Sequence, residues 1–298
     1  MNELDINSFN DIKISDKEAI EKAFLPNKKI LCNYNFSSLF IWGEIYKIKW
    51  KFYKEWLVIY DVMDDSVIMP SGKPLSVNEL VKISDMFLSQ GKRGRFKFVD
   101  IDYVENNREI SDFFDLKIDE DHADYIYEMQ KLVDMKGKKL HKKKNLISQF
   151  IRNNPEYSVK PMFKEYFDEC FKLAEKWCLN RNCEKMGFNH ETSALKRAFD
   201  NFEELGFKGL NIFIQDKMVA FAIFSEQNNN TVDMHFEKYD TEFKGSEQVI
   251  CWESAKHLSP KYKYMNREED LGIEGLRQSK KSYDPEFILK TYKLHRKK

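Results

Sequence analysis

The sequence predicts a mixed α/β protein of two domains, and three observations carry that prediction. Segments with the 3.6-residue period of amphipathic helices alternate along the chain with short β-branched and aromatic runs. In the second half, two helical segments are followed by three strand-like runs in succession, the pattern of a meander packed on helices. The length of 298 residues exceeds what one hydrophobic core usually organises, so domains of roughly 150 residues are expected.

Taken in order, Asp16 to Phe24 reads as a short amphipathic helix stopped by Pro26, and Phe36 to Tyr46 as a second, apolar one. The period then changes. Ile48 to Tyr53, Trp56 to Val62 and Val67 to Met69 are rich in β-branched and aromatic residues, with Asp64-Asp65 as a turn, and predict antiparallel strands. Ser76, with Glu79 three residues on, can cap a helix that runs to Gly91; a strand from Phe96 to Ile101 follows. A further helix is expected from Lys139 to Asn153, and the Asn153-Asn154-Pro155 break after it divides the chain into domains 1–153 and 154–298.

Beyond the break, Phe163, Tyr166, Phe167, Cys170, Phe171, Ala174, Trp177 and Cys178 share one helix face. Ala194, Leu195, Ala198, Phe199 and Phe202 share another. These aromatics are expected in the core rather than as stacking platforms for bases. Gly209 to Gln215, Lys217 to Glu226 and Thr231 to Glu237 make the meander, joined near Gln215-Asp216 and at the polar run Gln227 to Asn230. Helices from Ser246 to Leu258 and near Ile273 to Lys281, then a strand Phe287 to Tyr292, complete the second domain.

Composition narrows the function classes. Hydrophobic residues at 42% with only 11 Gly and 7 Pro exclude collagen-like and disordered chains. Forty-nine basic residues balance 49 acidic ones, so net charge itself favours neither nucleic acid nor membrane. The five cysteines, Cys32, Cys170, Cys178, Cys183 and Cys251, include no C-x-x-C pair, which fits a reducing cytosol and no disulfide framework. Cys178, Cys183 and His190 match no common zinc spacing, so no metal is expected. The N-terminus lacks the basic start and apolar run of a signal peptide. Charges interrupt every apolar stretch before the ~18 residues a membrane span needs. A cytoplasmic protein without a transmembrane segment is expected.

Two segments could carry chemistry. From Asp100 to Glu128 eleven acids face only Arg108 and Lys117; from Lys131 to Lys164 ten Lys or Arg face only Asp134 and Glu156. Within the basic block, Leu140, Leu146, Ile147, Phe150 and Ile151 form an apolar arc. Lys138, His141, Lys142, Asn145, Gln149 and Arg152 fall on the opposite face at 100° per residue. That face is either a solvated one that pairs with the acidic stretch, or a phosphate-binding surface. The second segment, Asn266 to Tyr283, sets Glu268, Glu269 and Asp270 beside Arg267, followed by two glycines and a helix bearing Arg277 and Lys280. Proton acceptors and fixed cations share one turn there, although acids also favour a helix N-terminus by dipole alone.

Tyr125-Ile126-Tyr127, Leu132, Gly137 to Asn145, Phe150 and Pro155-Glu156-Tyr157 resemble a signature of the C-terminal domain of bacterial phosphatidylglycerol lysyltransferases. Asn266 to Gly272 with Arg277, Lys280, Ser282-Tyr283 and Pro285 resembles the same family's second signature. With Trp42 and the strands after it, the resemblance spans nearly the whole chain. It implies two tandem acyltransferase domains of the GNAT type, the architecture shared with Fem-type aminoacyl transferases.

The resemblance also implies transfer of an aminoacyl group from charged tRNA, or another phosphate-bearing donor, to an amine or hydroxyl acceptor. Such chemistry needs a proton acceptor, donors for the developing oxyanion, and cations for phosphates. Glu269 or Asp270 could act as base, with Tyr283 supplying a proton to the leaving oxygen. Asn266, Arg267, Arg277 and Lys280 could hold the donor, together with Lys138, His141, Lys142, Asn145 and Arg152 on the cationic face. His235, inside a strand, is a second base candidate.

The chain carries no counterpart of the membrane-embedded segment of the lipid-modifying enzymes, so any contact with anionic lipid is expected to be peripheral. No cofactor is required. Coenzyme A thioesters are disfavoured because Glu242 and Glu247 flank the segment Glu242-Phe243-Lys244-Gly245-Ser246-Glu247 where a pyrophosphate would sit. An acetyl coenzyme A dependent N-acetyltransferase and a non-catalytic binder of tRNA or anionic surfaces remain the alternatives.

Overall fold

The computed structural model describes residues 4–26, 29–181 and 188–297, with side chains of 178–181 and 188–189 left aside. The chain forms two compact units, Met1–Ala123 with Leu289–Lys298, and Asp124–Ile288.

Unit 1 begins with β1 (Asn10–Asp11), α1 (Lys17–Phe24) and α2 (Phe36–Gly43). The antiparallel meander β2 (Ile48–Tyr53), β3 (Trp56–Asp61) and β4 (Ser66–Gly72) follows, as the β-branched runs predict. Ser76 Oγ then accepts the Glu79 amide at 3.3 Å and starts α3 (Val77–Ser89). That helix returns the chain to β5 (Arg95–Asp100), parallel to β4. Two short helices, α4 (Ile101–Asn106) and α5 (Ile110–Phe113), lead into the long β6 (Phe114–Glu128).

Unit 2 takes up the end of β6. It continues through α6 (Met129–Asp134), α7 (His141–Asn153), β7 (Ser158–Pro161), α8 (Phe167–Arg181) and α9 (Phe188–Asp200). Its meander is β8 (Lys208–Ile214), β9 (Lys217–Asn228) and β10 (Thr231–Tyr239), all antiparallel. Then α10 (Ser246–Leu258) carries the chain to β11 (Tyr264–Asn266), parallel to β10, before α11 (Glu274–Ser282) and β12 (Phe287–Arg296). Each unit thus repeats one order: two helices, a three-strand meander, a helix, and a strand parallel to the last of the meander. Nothing in the sequence shows the repeat, because it is one of topology and not of residues.

The division differs from the expected one at residues 153 and 154. The Asn and Pro there end a helix without ending a domain. Leu132 of α6, Ile147 and Phe150 of α7, and Met135 and Leu140 from the turn between them lie in the same buried cluster as Val249, Ile250 and Leu258 of α10. The chain passes between units inside β6 and returns inside β12, whose Thr291 and Tyr292 pair with Asp100 and Val99 of β5. The strand expected to close the second domain therefore belongs largely to unit 1. Phe163 is also not core; it precedes α8 and is 58% exposed.

The acidic stretch finds its partners in unit 1. Glu120 pairs with Lys290 at 2.7 Å and Asp119 with Lys293 at 2.8 Å, so the basic end of the chain neutralises it. In unit 2, Gly245 has φ +95°, and a Cβ there would meet the Leu146 carbonyl of α7 at 2.6 Å. The turn into α10 thus packs backbone against α7. Gly245→Ala is expected to destabilise unit 2 by about 1–3 kcal/mol, read from urea unfolding, because both the dihedral and the contact oppose a side chain. Among the described residues no helix is long and apolar enough to cross a membrane.

Candidate active site

In open α/β sheets, ligands lodge beyond the carboxyl ends of parallel strands where the strands part. In unit 2, β10 and β11 pair over Thr231↔Tyr264, Val232↔Met265 and Asp233↔Asn266 and then part. The chain after β11 turns away through left-handed Glu268 (φ 57°) and Leu271 (φ 54°) and through Gly272 (φ 72°). Two polar bridges span the opening: Arg267 Nη2 lies 2.6 Å from Glu237 Oε1, and Glu268 Oε1 lies 2.9 Å from His235 Nδ1. Unit 1 has a corresponding divergence after Ile68↔Lys97, but there the buried Tyr34 hydroxyl donates to the Met69 carbonyl at 3.0 Å and stitches it.

The Arg267 side is a polar cluster against an apolar core. The guanidinium lies 4.7 Å from the Tyr283 ring centroid, and the Lys143 ammonium 4.1 Å from the same ring. Burial works against the charge of Arg267, but Glu237 holds it protonated. Burial pushes the Glu237 carboxyl up, with Arg267 opposing, and pulls the Lys143 ammonium down, with Glu247 opposing at 4.0 Å. Three buried atoms here, Arg267 Nη1, Glu237 Oε2 and Tyr283 Oη, have no hydrogen-bond partner among the described residues. Buried polar atoms are nearly always matched, so an orphaned donor, an orphaned acceptor and a hydroxyl together mark a place where ligand atoms can complete them.

On the other bridge, His235 is buried and sits in a β-bulge between Met234 and Phe236. Its Nε2 lies 2.7 Å from Ser225 Oγ. Burial lowers the imidazole to about 4, against the pull of Asp233. Burial raises the Glu268 carboxyl to about 8, against the pull of Lys280.

The motif residues Asn266 to Tyr283 are brought together as the sequence implied, but several are committed to one another. Asp270 is fully buried; it accepts from Arg277 Nε at 2.9 Å and Nη2 at 2.8 Å, from Tyr125 Oη at 2.5 Å, and from the Gly272 amide at 2.9 Å. Burial opposes its charge, yet Arg277 and the other donors hold its carboxyl below the usual range. With its oxygens engaged by four donors, Asp270 fastens the loop, which is not the situation of a proton acceptor, and Arg277 is its clamp. The Lys280 ammonium donates to the carbonyls of Arg267, Glu268 and Glu269, so it braces the turn from inside and does not project toward phosphate. Asn266 donates to Asp124 at 2.6 Å and accepts the Glu268 amide at 2.7 Å. Glu269 is half-buried on the same loop.

Sequence reasoning missed Glu237, Lys143 and Ser225. Lys143 stands inside the lysine run but faces the core, which helical phase could have shown; Glu237 and Ser225 carry no sequence signal apart from their strands. On α7 the cationic face is where the spacing put it: Lys138, His141, Lys142, Asn145 and Arg152 are all exposed. At the mouth of α10, Glu242 pairs with Lys176 at 2.9 Å, and Glu247 turns toward Lys143. Of the metal candidates Cys178, Cys183 and His190, Cys183 and the Cys178 side chain lie outside the described residues; Cys32, Cys170 and Cys251 are buried thiols.

Residues 28–295 match the protein family described as phosphatidylglycerol lysyltransferase, C-terminal. An uncharacterised protein of Mycoplasmoides gallisepticum is 28% identical over 178 residues, 59% of this chain and 56% of that protein, so the match spans about half the length of this curated relative. Among solved structures, a conserved protein of unknown function from Bacteroides thetaiotaomicron is 32% identical with a TM-score of 0.90, covering 97% of this chain and 99% of that one. The C-terminal domain of a protein named as a lysylphosphatidylglycerol synthetase, from Agrobacterium fabrum, has a TM-score of 0.66 at 11% identity, over 96% and 93% of the two chains. FemX has a TM-score of 0.60 at 8% identity, over 95% of each. The last two likenesses are of fold alone, and the mixed α/β fold is GNAT-like and tandem, as the resemblance implied.

Proposed function

The chain belongs to the family of the phosphatidylglycerol lysyltransferase C-terminal domain, and from that membership we propose that it moves an aminoacyl group from charged tRNA to an amine or hydroxyl acceptor. The family and the fold point to an acyltransferase related to lysylphosphatidylglycerol synthases and Fem transferases. The observation that carries the reading is the Arg267–Glu237 bridge across the parted strands, with three orphaned polar atoms around it. An acyl carbonyl entering there would meet the guanidinium as an oxyanion donor, in a site dry enough to strengthen the interaction. Tyr283 would give a proton to the departing oxygen. Burial raises its hydroxyl, so Tyr283 carries its proton when the oxygen departs.

The transfer is tested with radiolabelled lysyl-tRNA and a panel of amine and hydroxyl acceptors. Label recovered on an acceptor supports the reading, whereas tRNA binding without transfer leaves a binder. The cationic face gives a second check. Lys138, Lys142 and Arg152 are exposed and have no ion pair among the described residues. If they touch phosphates, changing all three to Gln lowers the slope of log affinity against log salt by about one unit per lost contact. Filter binding at several salt concentrations reads that slope.

A further inference from the structure

We propose that Glu268, His235 and Ser225 form the proton relay of the transfer, with Ser225 as the end that meets the acceptor; this rests on the aminoacyl reading above. The three side chains come from three segments, the loop after β11, β10 and β9, and line up through hydrogen-bond distances of 2.9 Å and 2.7 Å. A histidine that merely fills a core is satisfied by a backbone carbonyl. Here side chains engage both ring nitrogens, one through a carboxylate and the other through a hydroxyl, the arrangement that orients an imidazole for proton transfer.

The backbone is shaped to produce it. The ladder steps from Met234↔Phe224 to Phe236↔Ile223, leaving His235 unopposed in a bulge that re-aims its ring. Glu268 is held left-handed, a conformation that costs a non-glycine residue and persists only when its surroundings enforce it. The enforcers are Asn266 Oδ1 on its amide, and the Tyr125 amide and Lys280 ammonium on its carbonyl. The charged groups around the relay are Asp233 from β10, Asp124 from β6, Glu191 from α9 and Lys280 from α11, and the Phe207 ring covers the imidazole edge-on at 5.1 Å.

In the step itself, the bond from the acyl carbon to the acceptor forms and the bond to the donor oxygen breaks. The acceptor's proton passes through Ser225 to His235 Nε2 while the proton on Nδ1 moves to Glu268. The departing oxygen receives its proton from Tyr283, and exchange with solvent restores both groups. Below about pH 8 Glu268 already carries a proton and the chain is filled. Above it, Nε2 is open to accept. Transfer to a hydroxyl acceptor is therefore expected to rise through about pH 8.

The experiment compares glycerol, a hydroxyl that needs a base, with hydroxylamine, a strong neutral nucleophile that does not, both against radiolabelled lysyl-tRNA. Ser225→Ala, His235→Asn and Glu268→Gln are expected to cut transfer to glycerol by roughly 10²- to 10⁴-fold while sparing hydroxylamine. Glu268→Gln should also remove the alkaline rise. Unchanged glycerol transfer overturns the relay, as does equal loss with both acceptors in variants that melt like wild type. Transfer to neither acceptor by the wild-type protein sinks the aminoacyl reading. Without a glycerol product, ¹⁵N spectra of His235 decide the relay. A response near pH 8 that vanishes in Glu268→Gln supports it, and a spectrum flat across that range overturns it.

Discussion

Arg267→Ala is expected to destabilise unit 2 by about 3–5 kcal/mol, because it leaves the Glu237 carboxylate buried without its partner. The pair is nearly dry, with side chains 11% and 10% exposed at a separation of 2.6 Å. Solvent cannot repair the loss. Burial already pushes the Glu237 carboxyl up, so without Arg267 it would protonate and give back part of the cost. Glu237→Gln in the Arg267→Ala background should therefore recover most of the stability, since a neutral amide needs no counter-charge. A double-mutant cycle by urea unfolding measures the coupling directly. If the losses of the two single variants simply add in the double variant, the pair does not act as a pair. The double variant also separates folding from function: restored melting with no donor binding assigns Arg267 to the ligand, whereas restored binding returns it to the core.

Which parts of the molecule were legible follows from how local their causes are. The meander strands announce themselves because Val, Ile, Phe and Tyr crowd runs such as Trp56–Asp61 and Lys217–Asn228, and α10 because its boundaries coincide with Gly245 and Ser259. Strand β6 did not, since Asp115, Lys117, Asp119, Glu120 and Asp121 interrupt any apolar alternation. Its justification is Lys290 and Lys293, about 170 residues away, and no local window contains them. Strand β11 is three residues long, too short for a period. The site divides the same way. The loop from Asn266 to Tyr283 stands out by composition, but roles within it depend on remote partners. Asp270 reads as a base until Tyr125, 145 residues distant, is seen to share its oxygens with Arg277. Glu268, its neighbour, reads as a helix-start acid until the bulge in β10 brings His235 to it.

The pH dependence of stability follows from Glu268 and His235, and their signs oppose. Glu268 holds its proton up to about 8 when folded, whereas an unfolded glutamate releases it near 4.5. Between those values the unfolded chain binds fewer protons, so this group's contribution is present at low pH and is lost as pH rises toward 8. His235 stays neutral down to about 4 when folded, against 6.5 unfolded. Its contribution is present above 6.5 and is lost as pH falls toward 4. From 4.5 to 6.5 the two slopes cancel, and from 6.5 to about 8 only the Glu268 loss remains. Wild-type protein is therefore expected to melt at a nearly constant temperature over the lower window and to decline across the upper one, by on the order of 5 °C. Glu268→Gln removes one slope and leaves the other: its melting temperature should rise from about pH 4 to 6.5 and then hold level. Calorimetric scans of both proteins from about pH 4 to 9 check this. A wild-type curve level between 6.5 and 8 would mean that Glu268 is already ionised there, and the relay would then be open at neutral pH.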